Sequence, residues 1–169
     1  IIFRSSINKN LTDSFMQESI SIIEEHLLCQ IPELSRFSAA IICSYITNFG
    51  GEIIPDFFGN NIIQMMQNSE SLEAAFYTLE EFSQGSVKIP EEIRIILANY
   101  VDAANPYHYK ALSIFNNIVD DSINFVHQIV MPIILKSYES YEMNSLAKSA
   151  TIAATTFVHF PDPIIGDFI

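Results

Sequence analysis

Apolar residues recur every three or four positions along most of this chain. Between Leu11 and Ile31, Phe15, Ile20, Ile22, Ile23, Leu27 and Leu28 form one such stripe, with Glu24-Glu25 on its polar back. That spacing marks an amphipathic helix. Pro32 interrupts it, because a proline disfavours the helical conformation of the residue before it but fits the first turn of a new helix. The same pattern predicts a second helix over 32–48, stopped by Gly50-Gly51. Pro55 opens a third, to about Asn68. Ser69 or Ser71 is placed to cap a fourth, with Glu73 near its first turn, running to Phe82. Pro90-Glu91-Glu92 starts a fifth, with carboxylates at the positive helix end, running to about Ala103. Asn105-Pro106 turns the chain into a helix over 107–119. Ser122 starts another through Ile129 to Tyr138, with a kink expected at Pro132. Asn144 or Ser145 caps a last long helix to about Phe160, ended by Pro161-Asp162-Pro163. The abundant isoleucine does not make these segments strands. Their spacing is not two, they exceed the ~5–6 residues of a usual strand, and no Asn-Gly or Asp-Gly hairpin turn occurs.

The helices pair into a repeat. Aligning the second helix of each pair on a small residue places Ala40, Ala75, Ala111 and Ala150 in register, 35, 36 and 39 residues apart. Three or four residues on come Cys43, Leu79, Phe115 and Ala153, and then Ile46, Phe82, Ile118 and Phe157. A small residue where two helices cross, followed by larger apolar ones, suits a packed helical hairpin. The period lies near the ~40–47 residues of HEAT and armadillo repeats and above the ~34 of TPR repeats, whose consensus residues are not visible. The alternative is a helical bundle with accidental spacing. The expected organisation is a single array with approximate repeats 15–50, 53–85, 89–120 and 122–160, and partial repeats at both ends.

Composition narrows the function. Of the 169 residues, 49% are hydrophobic, and 20 acidic side chains against 8 basic ones leave a net charge of −12. So apolar a chain is not a disordered acidic tail. So negative a chain is not expected to bind nucleic acid directly, where cations must displace counterions from phosphate. Two cysteines cannot build a disulfide scaffold. No apolar stretch reaches the ~18 residues that span a bilayer, so no membrane partner is expected. The start, Ile1-Ile2-Phe3-Arg4, does not read as a signal peptide. The chain reads as a piece of a longer protein. Asn10-Leu11-Thr12 matches a glycosylation sequon, a tripeptide that chance supplies often.

Residues 31–86 carry a likeness to a known family. Arg36, Ala39-Ala40 and Gly50-Gly51 are followed by Ile54-Pro55-Asp56-Phe57, and then by Glu73-Ala74-Ala75 through Leu79. This succession resembles the amino-terminal HEAT repeats of the importin-β superfamily, most closely the transportins. There an arginine-bearing second helix and a glycine turn precede a Trp-Pro-x-Leu start and a Glu-x-Ala-x-x-x-Leu helix. Ile54 stands where the family has Trp, and Ser83-Gln84 stands where transportins often carry an acidic pair, with Glu80-Glu81 just upstream. The resemblance implies an all-α HEAT-repeat solenoid, a right-handed superhelix of antiparallel helix pairs. It implies a fragment of a nuclear transport receptor working between cytoplasm and nucleus at the nuclear pore. The implied partners are Ran-GTP, cargo proteins bearing nuclear-localisation signals, and FG nucleoporins. Polar residues on the second helices are then the candidate contacts: Glu33, Arg36, Glu73, Tyr77, Glu80 and Glu81. The plainer reading of each is a solvated helix face. An acidic concave face would suit a basic partner.

Catalytic chemistry finds no constellation. His26, His108, His127 and His159 are scattered outside any HExxH or CxxC context, and none has Glu three residues before it, as di-iron bundles require. Cys29 and Cys43 fall inside apolar helical stretches. Paired carboxylates such as Glu24-Glu25, Glu91-Glu92 and Asp120-Asp121 are adjacent, and adjacent helical side chains diverge. No Gly-rich phosphate loop and no GxSxG motif appears. The expectation is a non-enzyme without cofactor or metal. Two alternatives stand beside the transport receptor. One is an unrelated HEAT or armadillo scaffold or adaptor, and the other a helical-bundle enzyme or metal protein.

Overall fold

The computed structural model describes residues 22–23, 25–27, 31–48, 56–85 and 87–169. The expectations for Gly50-Gly51, Ile54-Pro55, Cys29, Asn10-Leu11-Thr12 and most of the first helix lie outside them. The protein is all-α, and the described residues contain no β-strand. The chain divides into two compact units, Ile1–Ile93 and Arg94–Ile169.

In the first unit, residues 22–23 and 25–27 are helical. Helix α1 (Pro32–Asn48) follows, then α2 (Asp56–Gln67) and α3 (Leu72–Gln84). α1 packs most extensively on α3, and α2 packs on α3. The buried Ser35 hydroxyl donates to the Leu27 carbonyl at 2.9 Å, which fastens the preceding helix to α1. Ser71 stands at the start of α3 but does not cap it. It is buried, and its hydroxyl turns back to the Met65 carbonyl of α2 at 3.2 Å, closing the α2–α3 turn instead.

Helix α4 (Glu91–Ala98) carries the division between the units. It ends at Ala98, five residues before the expected Ala103. The amides of Asn99, Tyr100 and Val101 bond to carbonyls three residues back, a tightening that ends the helix. Asp102 and Asn105 then accept from the amides of Ala104 and Tyr107, both at 2.9 Å. Such side chains offer the backbone a turn in place of a helix.

The second unit continues with α5 (His108–Ile118), α6 (Ile123–Phe125), α7 (Met131–Ser137), α8 (Met143–His159) and α9 (Pro163–Phe168). A π-helical turn, Val126–Val130, joins α6 to α7 just before Pro132. Pro132 has no amide to donate and its ring crowds the carbonyl four residues back, so a wider turn takes the place of the expected simple kink. α8 begins at Met143, and its cap position is Glu142 rather than Asn144 or Ser145. Ser145 is buried within the first turn. α5 packs on α8, and α9 packs on α8. The Asp162 carboxylate caps α9 by accepting from Ile164 N at 2.8 Å. Tyr141 is buried and donates to the Val101 carbonyl at 2.5 Å.

Burial repeats along the helices that stack. In α1 the residues Ala39, Ile42, Cys43 and Ile46 are buried. In α3 they are Ala75, Thr78, Leu79 and Phe82. In α5 they are Ala111, Ile114, Phe115 and Ile118, and in α8 Ser149, Ile152, Ala153 and Thr156. The frames begin 36, 36 and 38 residues apart. This moves the small-residue position by one from Ala40 to Ala39 and from Ala150 to Ser149, since Ala40 and Ala150 are only half-buried. One residue turns a helix by ~100°, so only one of two neighbouring small residues can face the crossing. Thr78 is the polar exception in an otherwise isoleucine row, and its hydroxyl has no hydrogen-bond partner among the described residues. Thr78→Val therefore raises the unfolding free energy by about 1 kcal/mol, because an unpaired buried hydroxyl is removed at constant shape. Urea denaturation of the two proteins checks it.

Candidate partner-binding face

All six residues singled out in the sequence lie on α1 and α3, and four of them, Arg36, Tyr77, Glu80 and Glu81, meet across one seam. Side chains advance ~100° per helical residue. Glu73, Tyr77, Glu80 and Gln84 therefore form one outward strip of α3, opposite buried Ala75, Leu79 and Phe82. Glu33, Phe37, Ala40 and Ser44 form the same kind of strip on α1, opposite Ser35, Ala39, Ile42 and Ile46. Arg36 and Glu81 close the seam between the helices, with Arg36 Nε donating to Glu81 Oε2 at 2.9 Å. This hydrogen bond is the main reason that Arg36 holds its proton even more firmly than usual, with the charges of Glu81 and Glu80 adding to it. The two side chains remain 46% and 25% exposed, so the pair adds little to stability and mainly fixes where the guanidinium points. Glu33 is on the same outward side of α1, is exposed, and makes no such bridge among the described residues.

Below the seam lies Cys43. Its thiol is buried beside the backbone of Glu81, and burial pushes it up to about 12, with the Glu81 charge contributing. The neutral thiol is the form that fits the fold. Its contribution is complete below the ordinary value of 9.0 and is lost as pH climbs from there toward about 12. Alkaline loss of stability is therefore smaller in Cys43→Ala than in the parent, as denaturation at about pH 7 and about pH 10 measures. Alkylation followed by peptide mapping is expected to find native Cys43 slow to react at neutral pH.

Phe37 is the residue that sequence reasoning missed. It is 66% exposed at the middle of the α1 strip. Its signal was present, since an aromatic four residues from Glu33 falls off the stripe formed by Ser35, Ala39, Ile42 and Ile46. The corresponding outward position of α5, two residues before its frame begins, is Tyr109, and Lys148 Nζ stands 5.1 Å from the centre of that ring. Lys148 also donates to Ser113 Oγ at 3.2 Å.

No known family, curated protein or solved structure matches this chain. Among the described residues, no group of three or more His, Cys, Asp or Glu side chains is placed to hold a metal ion. His108 stacks on Tyr141 and His127 on Phe160, with ring centres 5.6 and 4.3 Å apart, so both imidazoles work as packing surfaces. No single described helix is long and apolar enough to cross a membrane.

Proposed function

We propose that the chain is a segment of a HEAT-type helical-repeat scaffold that binds other proteins and performs no catalysis. The supporting observation is the burial frame that returns at 36, 36 and 38 residues on four helices, of which α1 stacks on α3 and α5 stacks on α8. A repeat of this kind has no single pocket for chemistry and presents the outward strips of its stacked helices as an extended surface. Within that class, the residues around Arg36, Ala39-Ala40 and Glu73-Ala74-Ala75 favour a carrier of the importin-β type. Such a carrier would bind Ran-GTP, nuclear-localisation-signal cargo and FG nucleoporins, and move between cytoplasm and nucleus.

Pull-down of the full-length protein with Ran loaded with GTP or GDP tests the carrier. GTP-selective capture supports it. Equal capture, or none, removes the carrier and leaves the general scaffold.

A further inference from the structure

We infer that the seam between α5 and α8 is a carboxylate-binding site for an acidic segment of another protein, with a glutamate or aspartate of that segment held by Lys148 and Ser113. This rests on the reading of the chain as a protein-binding scaffold. It adds a partner of acidic chemistry, on the unit that holds none of the six residues singled out in the sequence.

Charge in the second unit, every residue of which is described, is sorted by element. Its seven acidic residues lie in turns, at helix caps or in α9, whereas α5, with 11 residues, and α8, with 17, hold none. Lys148 is half-buried on α8 and crosses the seam to α5. Its ammonium stands 5.1 Å from the centre of the Tyr109 ring and donates to Ser113 Oγ at 3.2 Å. Both partners are uncharged, and no carboxylate lies within ion-pair distance of Lys148 among the described residues. The first unit differs here, since Arg36 of α1 is closed by Glu81 of α3. An ammonium has three N–H donors and no acceptor. The ring quadrupole holds it on one side and Ser113 takes one donor, which leaves a donor for an anion. Ser113 accepts from Lys148, so its own O–H is left to donate. Two donors 3.2 Å apart match the two oxygens of one carboxylate, and bonds to an ionised group are roughly twice as strong as neutral ones. The lysine is already tethered, so binding orders less than it would at a free surface lysine.

The same features choose among anions. Nucleic acid and anionic lipid are held through several cations at once, and this site offers a single lysine on a chain of net charge −12. A second copy brings its own net charge of −12 against the first. That repulsion is screened beyond about 8 Å at physiological salt, so a short acidic segment meets the local charge of the seam. A free small anion gains nothing from the Tyr109 ring, which is 45% exposed beside the site. The methylenes of a glutamate, or an apolar neighbour in the segment, pack against its exposed edge.

The test uses the whole chain and a rhodamine-labelled synthetic peptide of glutamate and leucine, read by anisotropy. Controls are the same peptide with glutamine in place of glutamate, inorganic phosphate as a competitor, and vesicles of phosphatidylserine. The inference expects saturable binding of the glutamate peptide and none of the glutamine peptide. It expects roughly tenfold weaker binding by Lys148→Met, which keeps the stem and loses the charge. Ser113→Ala costs a few-fold, and Lys148→Arg retains at least part of the binding. Lys136→Met removes an exposed lysine of α7 and serves as the charge-matched control, with binding close to that of the parent. Unchanged circular dichroism and melting confirm that Lys148→Met stays folded, and Ser113→Ala, which deletes one hydroxyl, gives the reading if it does not. No binding by the parent, or equal binding by the parent and both variants, overturns the inference. So does equal binding of the glutamine peptide. Displacement by equimolar phosphate, vesicle binding lost in Lys148→Met, or self-association lost in that variant also overturns it, in favour of a free anion, lipid or a second copy. GTP-selective Ran capture without peptide binding supports the carrier while this inference fails. Peptide binding that depends on Lys148, without Ran capture, gives the reverse.

Discussion

Phe115→Ala is expected to lower the unfolding free energy by about 3–5 kcal/mol, the largest loss expected of any single substitution considered. Phe115 is fully buried in α5, on the face that packs on α8. Its ring lies nearly parallel to that of Phe125, with centres 6.2 Å apart and an angle of 15°. Phe125 in turn lies under the Arg94 guanidinium, 5.2 Å from the ring centre. Truncation removes the transfer energy of a whole ring, leaves a cavity beside Ile114 and Ile118, and strips one partner from this stack. Urea denaturation followed by circular dichroism measures it. Phe37→Ser is the matched control, an aromatic of the same size with two-thirds of its surface already in water, and should shift stability by no more than about 0.5 kcal/mol. Similar losses for the two variants would mean that Phe115 is not a core residue.

Gly85→Ala comes next, with an expected loss of about 1–3 kcal/mol. Gly85 follows α3 with φ at −81°, a conformation open to any residue, so backbone strain is not the cause. The cost lies across the α1–α3 seam. A Cβ on Gly85 would stand 3.0 Å from Cys43 Sγ and 3.3 Å from both Cys43 Cβ and the Glu81 carbonyl oxygen. Shortening Cys43 to alanine removes the nearest of these atoms. The double variant should then recover part of the loss, with a coupling of about 0.5–3 kcal/mol. If Gly85→Ala costs the same with and without the thiol, the seam contact is not responsible.

Where the sequence was legible, a strong local signal agreed with the packing. α1 begins at Pro32 and ends at Asn48 as expected, because proline suits a first helical turn and the apolar period continues without a break. The limits of α2 and α5 fall within a residue of expectation, and α3 runs two residues past Phe82, for the same reason. The misses have physical causes. Ser71 and Ser145 look like caps from their neighbours, but both are buried, and Ser71 turns its hydroxyl back to the Met65 carbonyl instead of capping α3. α4 stops early because Asp102 and Asn105 capture the backbone, though the apolar pattern runs on. α9 had its signal in Asp162-Pro163, a cap followed by a first-turn proline, but that pair read as a terminator of α8. The register of the repeat was off by one at Ala40 and Ala150, since each stands beside a second small residue and only burial distinguishes them. The candidate face fared similarly. Its carboxylates and Arg36 were visible as polar positions. The pairing of Arg36 with Glu81, and the exposure of Phe37, depend on where α3 settles against α1.

The division of the chain at Ile93 and Arg94 has an optical and chemical counterpart. The protein has no tryptophan, and five of its seven tyrosines, Tyr100, Tyr107, Tyr109, Tyr138 and Tyr141, belong to the second unit. Both thiols, Cys29 and Cys43, belong to the first. Tyrosine emission therefore follows mainly the unfolding of one unit, while thiol titration follows only the other. A single protein without added labels thus carries its own pair of reporters. Coincident curves would mean that the two units melt as one cooperative body, and separated curves would give each its own midpoint.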